Sequence, residues 1–164
     1  MKTRGLPRSM AAVGAAFAAV LVGVFASGGE TPDEETPAAE IITFYNDHAT
    51  QFRIGAFALV LAAVLLLFFA GGLRQLLRSG EDDGGWGERL ASVALGGAVM
   101  FAAGLATFAI SASAMVTAAD LGQPDVVTAL NVVDNNNFFL VMVGMATMLS
   151  ATGLRALQSG VLPR

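Results

Sequence analysis

Four long runs of apolar residues alternate with short polar segments along this chain. No Asp, Glu, Lys, Arg or His lies between Arg8 and Glu30, between Arg53 and Arg74, between Arg89 and Asp120, or between Asp134 and Arg155. A run of roughly 18 or more apolar residues can cross a hydrocarbon core about 30 Å thick. Helices of a soluble fold would instead carry charge on one face at every turn or two. The pattern predicts an all-α integral membrane bundle with spans at about 10–27, 54–73, 90–115 and 136–154, forming one transmembrane domain over residues 1–164.

The first span has two readings. Lys2, Arg4 and Arg8 precede an apolar stretch that ends at Val24-Phe25-Ala26, the layout of a cleavable signal. Its length favours a retained helix, as does the recurrence of Ala11, Ala15, Ala19 and Gly23, which shares one face suited to close helix contact. In the third span Ala94, Ala98, Ala102 and Ala106 recur every four residues with Gly97 and Gly104 beside them. These six are expected to pack against another helix.

The polar segments carry their own signals. Residues 28–37 are acidic and proline-containing, the composition of a flexible linker. Thr36-Pro37 reads as a helix start, a hydroxyl cap followed by proline at the first helical position. Ile41, Tyr45, His48 and Phe52 follow at helical spacing, with Thr43, Asp47 and Gln51 opposite. This predicts an amphipathic helix before the second span, lying on the membrane interface. Pro124-Asp125 is placed to begin another short helix, with Val126, Leu130 and Val133 as its apolar face. Trp86, in a glycine-rich turn, suits headgroup depth.

Charge sets the orientation. With the N-terminus inside, the inner segments hold eight basic residues and the outer loops hold one, Arg53. Basic residues concentrate on the cytoplasmic side, so both termini are expected in the cytoplasm of a bacterial plasma membrane.

Thr36-Pro37-Ala38-Ala39-Glu40-Ile41, Phe44-Tyr45-Asn46-Asp47-His48, Arg53-Ile54-Gly55-Ala56 and Leu73-Arg74-Gln75-Leu76-Leu77-Arg78 form a set of landmarks. Ala151-Thr152-Gly153-Leu154-Arg155-Ala156-Leu157 and Ser159-Gly160-Val161-Leu162-Pro163-Arg164 extend it. Together they resemble a family of small multi-pass membrane proteins common in high-GC actinobacteria, to which no activity is attached. The resemblance implies a retained first helix. It also implies a chain short for the family, whose members continue past this point with a tryptophan-containing segment and further spans. It transfers no catalytic or ligand residue.

Candidate chemistry is sparse. The chain has no cysteine, which removes thiolate sites and disulfides. His48 with Asp47, Glu40 and Tyr45 falls short of the three or four convergent ligands of a zinc site, so it reads as part of an interfacial face. Arg53 can satisfy its charge at lipid headgroups or by pairing with Asp134 or Asp120. With Asp134 and Asn137 it forms a candidate outer-face polar cluster. Asn135 to Asn137 read as a polar helix end rather than a vestibule. Thr107, Ser111, Ser113, Thr147 and Ser150 are expected to bond to backbone or to a neighbouring helix.

Uncharged spans argue against a pump or relay, and no span supplies a nucleophile and base. The leading expectation is a non-enzymatic scaffold or modulator without a cofactor. Its partners would be the lipid bilayer and other membrane proteins or further copies of itself, with no role for nucleic acid. The alternative is a subunit of a small transporter or channel working as an oligomer.

Overall fold

A computed structural model describes residues 8–28, 31–78 and 85–158 of the chain. These form six helices: α1 (Arg8–Ser27), α2 (Ala38–Asp47), α3 (Ala49–Arg78), α4 (Trp86–Asp120), α5 (Pro124–Asn136) and α6 (Phe138–Gln158). No strand occurs among the described residues. Four helical stretches are long and apolar enough to cross a membrane. We take α1, α3, α4 and α6 as the spans, with α2 and α5 forming a cap at one end, called the outer end here.

Helix α4 is the central post. It packs against α3 on one side and α6 on the other, while α1 leans on α3. Its 35 residues make it roughly 52 Å long at about 1.5 Å per residue, well beyond a hydrocarbon core of about 30 Å. The surplus rises past the span, and the cap is built on it. The segment 116–120, expected as loop, is therefore helix. That helix ends in a Schellman motif: Gly122 takes φ +61, its N–H donates to the Ala119 carbonyl at 3.0 Å, and the Gln123 N–H donates to the Ala118 carbonyl at 3.1 Å. The left-handed position favours glycine because no Cβ meets the preceding carbonyl.

Apolar burial falls into three levels along the post. At the inner end Leu73, Leu77, Leu90, Ala91, Ala94 and Ala151 cluster. The middle joins Leu59, Ala62, Leu66 and Ala70 of α3 to Ala98, Ala102 and Leu105 of α4, with Val141 and Met148 of α6. At the outer end Ile41 and Tyr45 of α2 meet Met115, Val116 and Ala119 of α4 and Val127 of α5.

The stripe Ala94, Ala98 and Ala102 is buried, and Ala106 is half-buried. Gly97 and Gly104 serve a different contact. A Cβ on Gly97 would lie 2.5 Å from the Met148 amide nitrogen, and one on Gly104 would lie 2.7 Å from Val141 Cγ2 and 3.0 Å from its amide nitrogen. Glycine here lets the α4 and α6 backbones touch. Such close approach favours association in lipid, where apolar burial from water supplies little between helices.

Helix α1 departs from expectation. Ala11, Ala15, Ala19 and Gly23 are all exposed, so the small-residue stripe faces away from the bundle. The contact is made instead by Met10, Phe17, Val20, Leu21 and Val24, with the Phe17 ring edge-on to Phe101 at 5.9 Å. These larger side chains fill the space beside α3 and gain more dispersion contact than alanine could.

Candidate functional site

Polar chemistry concentrates at the outer cap, which begins with α2. Its N-cap is Pro37, whose carbonyl accepts from the N–H groups of Glu40 at 2.9 Å and Ile41 at 3.2 Å. The expected hydroxyl cap at Thr36 is absent because that hydroxyl donates to Asp33 Oδ1 at 2.7 Å. Asp33 Oδ1 also accepts from the Glu35 N–H at 3.1 Å, which closes a tight Asx-type turn.

Residues 31–37 are therefore folded, and asparagines of α5 hold them. Asn131 Nδ2 donates to the Asp33 carbonyl at 2.6 Å, Asn135 Nδ2 to that of Pro32 at 3.5 Å, and Asn136 Nδ2 to Glu34 Oε1 at 2.8 Å. The tie stabilises an acidic segment that composition alone reads as a loose linker. The asparagines cross-link two segments about a hundred residues apart in sequence.

The faces of both cap helices differ from the periodic reading. Ile41 and Tyr45 are buried and Phe52 is half-buried, but His48 is exposed. The chain breaks at His48, with φ −109 and ψ 14, so Phe52 belongs to the next helix. The His48 ring lies outside Phe44 at 4.7 Å, and its Nδ1 bonds the Phe44 carbonyl at 2.8 Å, which requires the proton on Nδ1. Helix α2 thus rests on α4 and α5. In α5 the buried positions are Val127 and Asn131; of the expected face, Leu130 is half-buried against the outer cluster while Val126 and Val133 are exposed. The burying face is rotated by about one residue because the helix must point Asn131 at the 31–37 turn.

Of the two acids within its expected reach, Arg53 pairs with Asp120 and not with Asp134. Arg53 Nη2 lies 3.6 Å from Asp120 Oδ2, in a pair whose side chains are 61% and 68% exposed. Asp134 lies instead in the half-buried ground near Tyr45. Its Oδ1 and the Nδ2 of Asn137 are buried with no hydrogen-bond partner in the protein. Burial pushes the Asp134 carboxyl up to about 6. The Tyr45 phenol is pushed well above its ordinary value, first by burial and then by the Asp134 charge, so it stays protonated. A carboxyl that changes charge near pH 6 under a packed cap can couple protonation to how tightly the cap sits. Among the described residues no three His, Asp or Glu side chains converge as metal ligands.

Thr107 and Ser113 donate to the carbonyls four residues back, each at 2.9 Å. Ser111 is buried, Thr147 is half-buried and Ser150 is exposed, so the hydroxyls of α6 do not share one inward face with Asn137.

A second polar feature sits at the inner end. Arg155 of α6 is buried, and its Nε donates to the Leu77 carbonyl at 3.1 Å, near the C-terminus of α3. A cation is favoured there by the partial negative charge of the helix end. Gly87 makes room: a Cβ at that position would lie 2.8 Å from the guanidinium carbon. In the sequence Arg155 bounds the last charge-free run and stands within one of the landmarks. A basic residue at a span boundary says which side it lies on, not what it binds. Nearby, Arg78 pairs with Glu88 at 3.0 Å, and the Arg89 guanidinium lies 5.8 Å from the ring centre of Trp86, which is exposed.

No family model, curated protein or solved structure matches this chain.

Proposed function

We propose that this protein is a non-enzymatic helix bundle of the bacterial plasma membrane, with both termini cytoplasmic, that scaffolds or modulates other membrane components. The supporting observation is the placement of α1. It contributes no buried residue, yet it is fixed to the bundle along one edge. Its opposite edge carries Ala11, Ala15, Ala19 and Gly23 outward. Small residues at this spacing let a second helix approach backbone to backbone, where van der Waals contact drives association in lipid.

The rest of the bundle supports the same reading. The contact between α4 and α6 is closed by backbone against glycine, and the middle of the bundle is an apolar cluster. Polar side chains are spent at the two ends, on the outer cap and on the Arg155 clamp. The eight-to-one bias of basic residues supports the orientation.

Cysteine cross-linking in native membranes tests the proposal. The chain has no cysteine, so Ala15→Cys gives a single reporter. Cross-linking at position 15 to another helix, abolished by adding Ala19→Leu and absent for Leu21→Cys, is the expected result. A reporter that reacts only with lipid-borne reagents would overturn it.

A further inference from the structure

A groove of about 870 Å³ runs down the flank of the outer half, between α3 and α4. Its walls are apolar, with Ala56, Phe57 and Val60 on one side and Ala109, Ile110 and Ala114 on the other. Phe57 and Ile110 are 73% and 69% exposed, so the groove opens on the face turned to the bilayer. The hydroxyls of Ser113 and Thr117 donate to the carbonyls of Ala109 and Ser113, leaving the groove wall essentially hydrocarbon. Val126 and Leu130 of α5 overhang the outer end, and Arg53 stands at the mouth.

Two dimensions identify the occupant. From Ala109 to Ala118 α4 rises about 14 Å, so the groove leads from the outer part of the span up onto the segment that rises past it, and a chain seated there joins the hydrocarbon to headgroup level. Arg53, which lines the groove, lies 3.6 Å from the carboxylate of Asp120 just beyond the lining, and each side chain is more than half exposed. An exposed pair of this kind contributes little by itself, and either member can exchange its partner.

We propose that this groove binds one glycerophospholipid. An acyl chain lies along α3 and α4, and an aminoethyl phosphate headgroup sits over Arg53 and Asp120. The phosphate matches the forked donors of Arg53. The primary ammonium supplies N–H donors to Asp120. A choline headgroup offers the same phosphate but no N–H, and a glycerol headgroup offers no cation. The pair thus selects among lipids that the groove alone would accept equally. This inference does not rest on the scaffolding proposal, which concerns the opposite edge of α1.

The test uses the full chain purified in detergent. It is titrated with phosphatidylethanolamine, phosphatidylcholine or phosphatidylglycerol and analysed by native mass spectrometry. A phosphatidylethanolamine with a diazirine on its acyl chain then maps the site. Phosphatidylethanolamine should bind about tenfold more tightly than phosphatidylcholine, a difference of about 1.4 kcal/mol. Asp120→Asn should remove that preference while retaining binding, and Arg53→Gln should weaken all three lipids. Ala114→Phe, which fills the groove without touching the headgroup pair, should cut photolabelling of Phe57 and Ile110 in a protein that still elutes as folded. Labelling spread evenly over the four spans would overturn the proposal. So would a preference for phosphatidylglycerol, or an Asp120→Asn variant that still discriminates.

Discussion

Gly97 and Gly144 face each other across α4 and α6, so close that a Cβ on Gly97 would lie 2.9 Å from the Gly144 carbonyl oxygen. The reciprocal position is as tight: a Cβ on Gly144 would strike the backbone of Phe101 and lie 2.8 Å from the Met100 carbonyl carbon. Backbone cannot rotate aside as a side chain can, so any larger residue must push the helices apart. Gly97→Ala and Gly144→Ala should each destabilise the bundle by about 1–3 kcal/mol through overpacking. Gly96→Ala, with nothing within 4 Å of its Cβ, should cost nothing measurable. Unfolding in mixed detergent micelles reads all three.

The same logic separates neighbouring alanines of α4. Ala102 is 5% exposed and sits in the middle cluster, whereas Ala103 is exposed. Ala102→Leu should cost about 1–3 kcal/mol, and Ala103→Leu should leave the unfolding midpoint where it is.

Asp134 predicts a pH dependence. Its folded carboxyl titrates near 6, against an ordinary value of 3.8. Between these values the folded protein binds more protons than the unfolded chain, so stability falls as pH rises from about 4 to about 6 and stays lower above that. Unfolding midpoints should therefore be higher at pH 5 than at pH 7.5. Asp134→Asn should flatten this window and raise the midpoint at pH 7.5.

Arg155 predicts a clamp at the other end. Arg155→Ala should cost about 1.5–3 kcal/mol, the usual range for a hydrogen bond to a charged group. Gly87→Ala should cost less, because the atoms it meets are the far end of the Arg155 side chain. Lysine should not restore stability at position 155, since an ammonium lacks the fork that reaches the carbonyl from this angle.

Topology gives a further measurement. A single cysteine replacing Asp125, exposed near the start of α5, should react with an impermeant maleimide from outside intact cells. One replacing Asp82 should react only after the membrane is opened. The reverse pattern would contradict the orientation drawn from the basic residues.

The charge-free runs by themselves determined the number and approximate place of the spanning helices. A charged side chain in hydrocarbon costs several kcal/mol or more, so the boundaries are written in composition. The small-residue stripe of α4 was legible for a related reason, since only small residues recur there every four positions. A small-residue stripe of the same spacing in α1 turned outward. Small residues suit either a partner helix or lipid, and only the fit of Phe17, Leu21 and Val24 beside α3 and α4 decided between them. Periodicity also placed Ile41, Tyr45 and Phe52 on one face, and the Phe52 ring packs 4.7 Å from Tyr45 across the helix break, but that break at His48 left His48 itself exposed. The Asn131 and Asn136 ties to residues 33 and 34 join positions about a hundred apart in the chain. The clamp from Arg155 to Leu77 joins positions 78 apart. No local pattern specifies such pairs, because each depends on how the helices are docked, which only the assembled bundle decides.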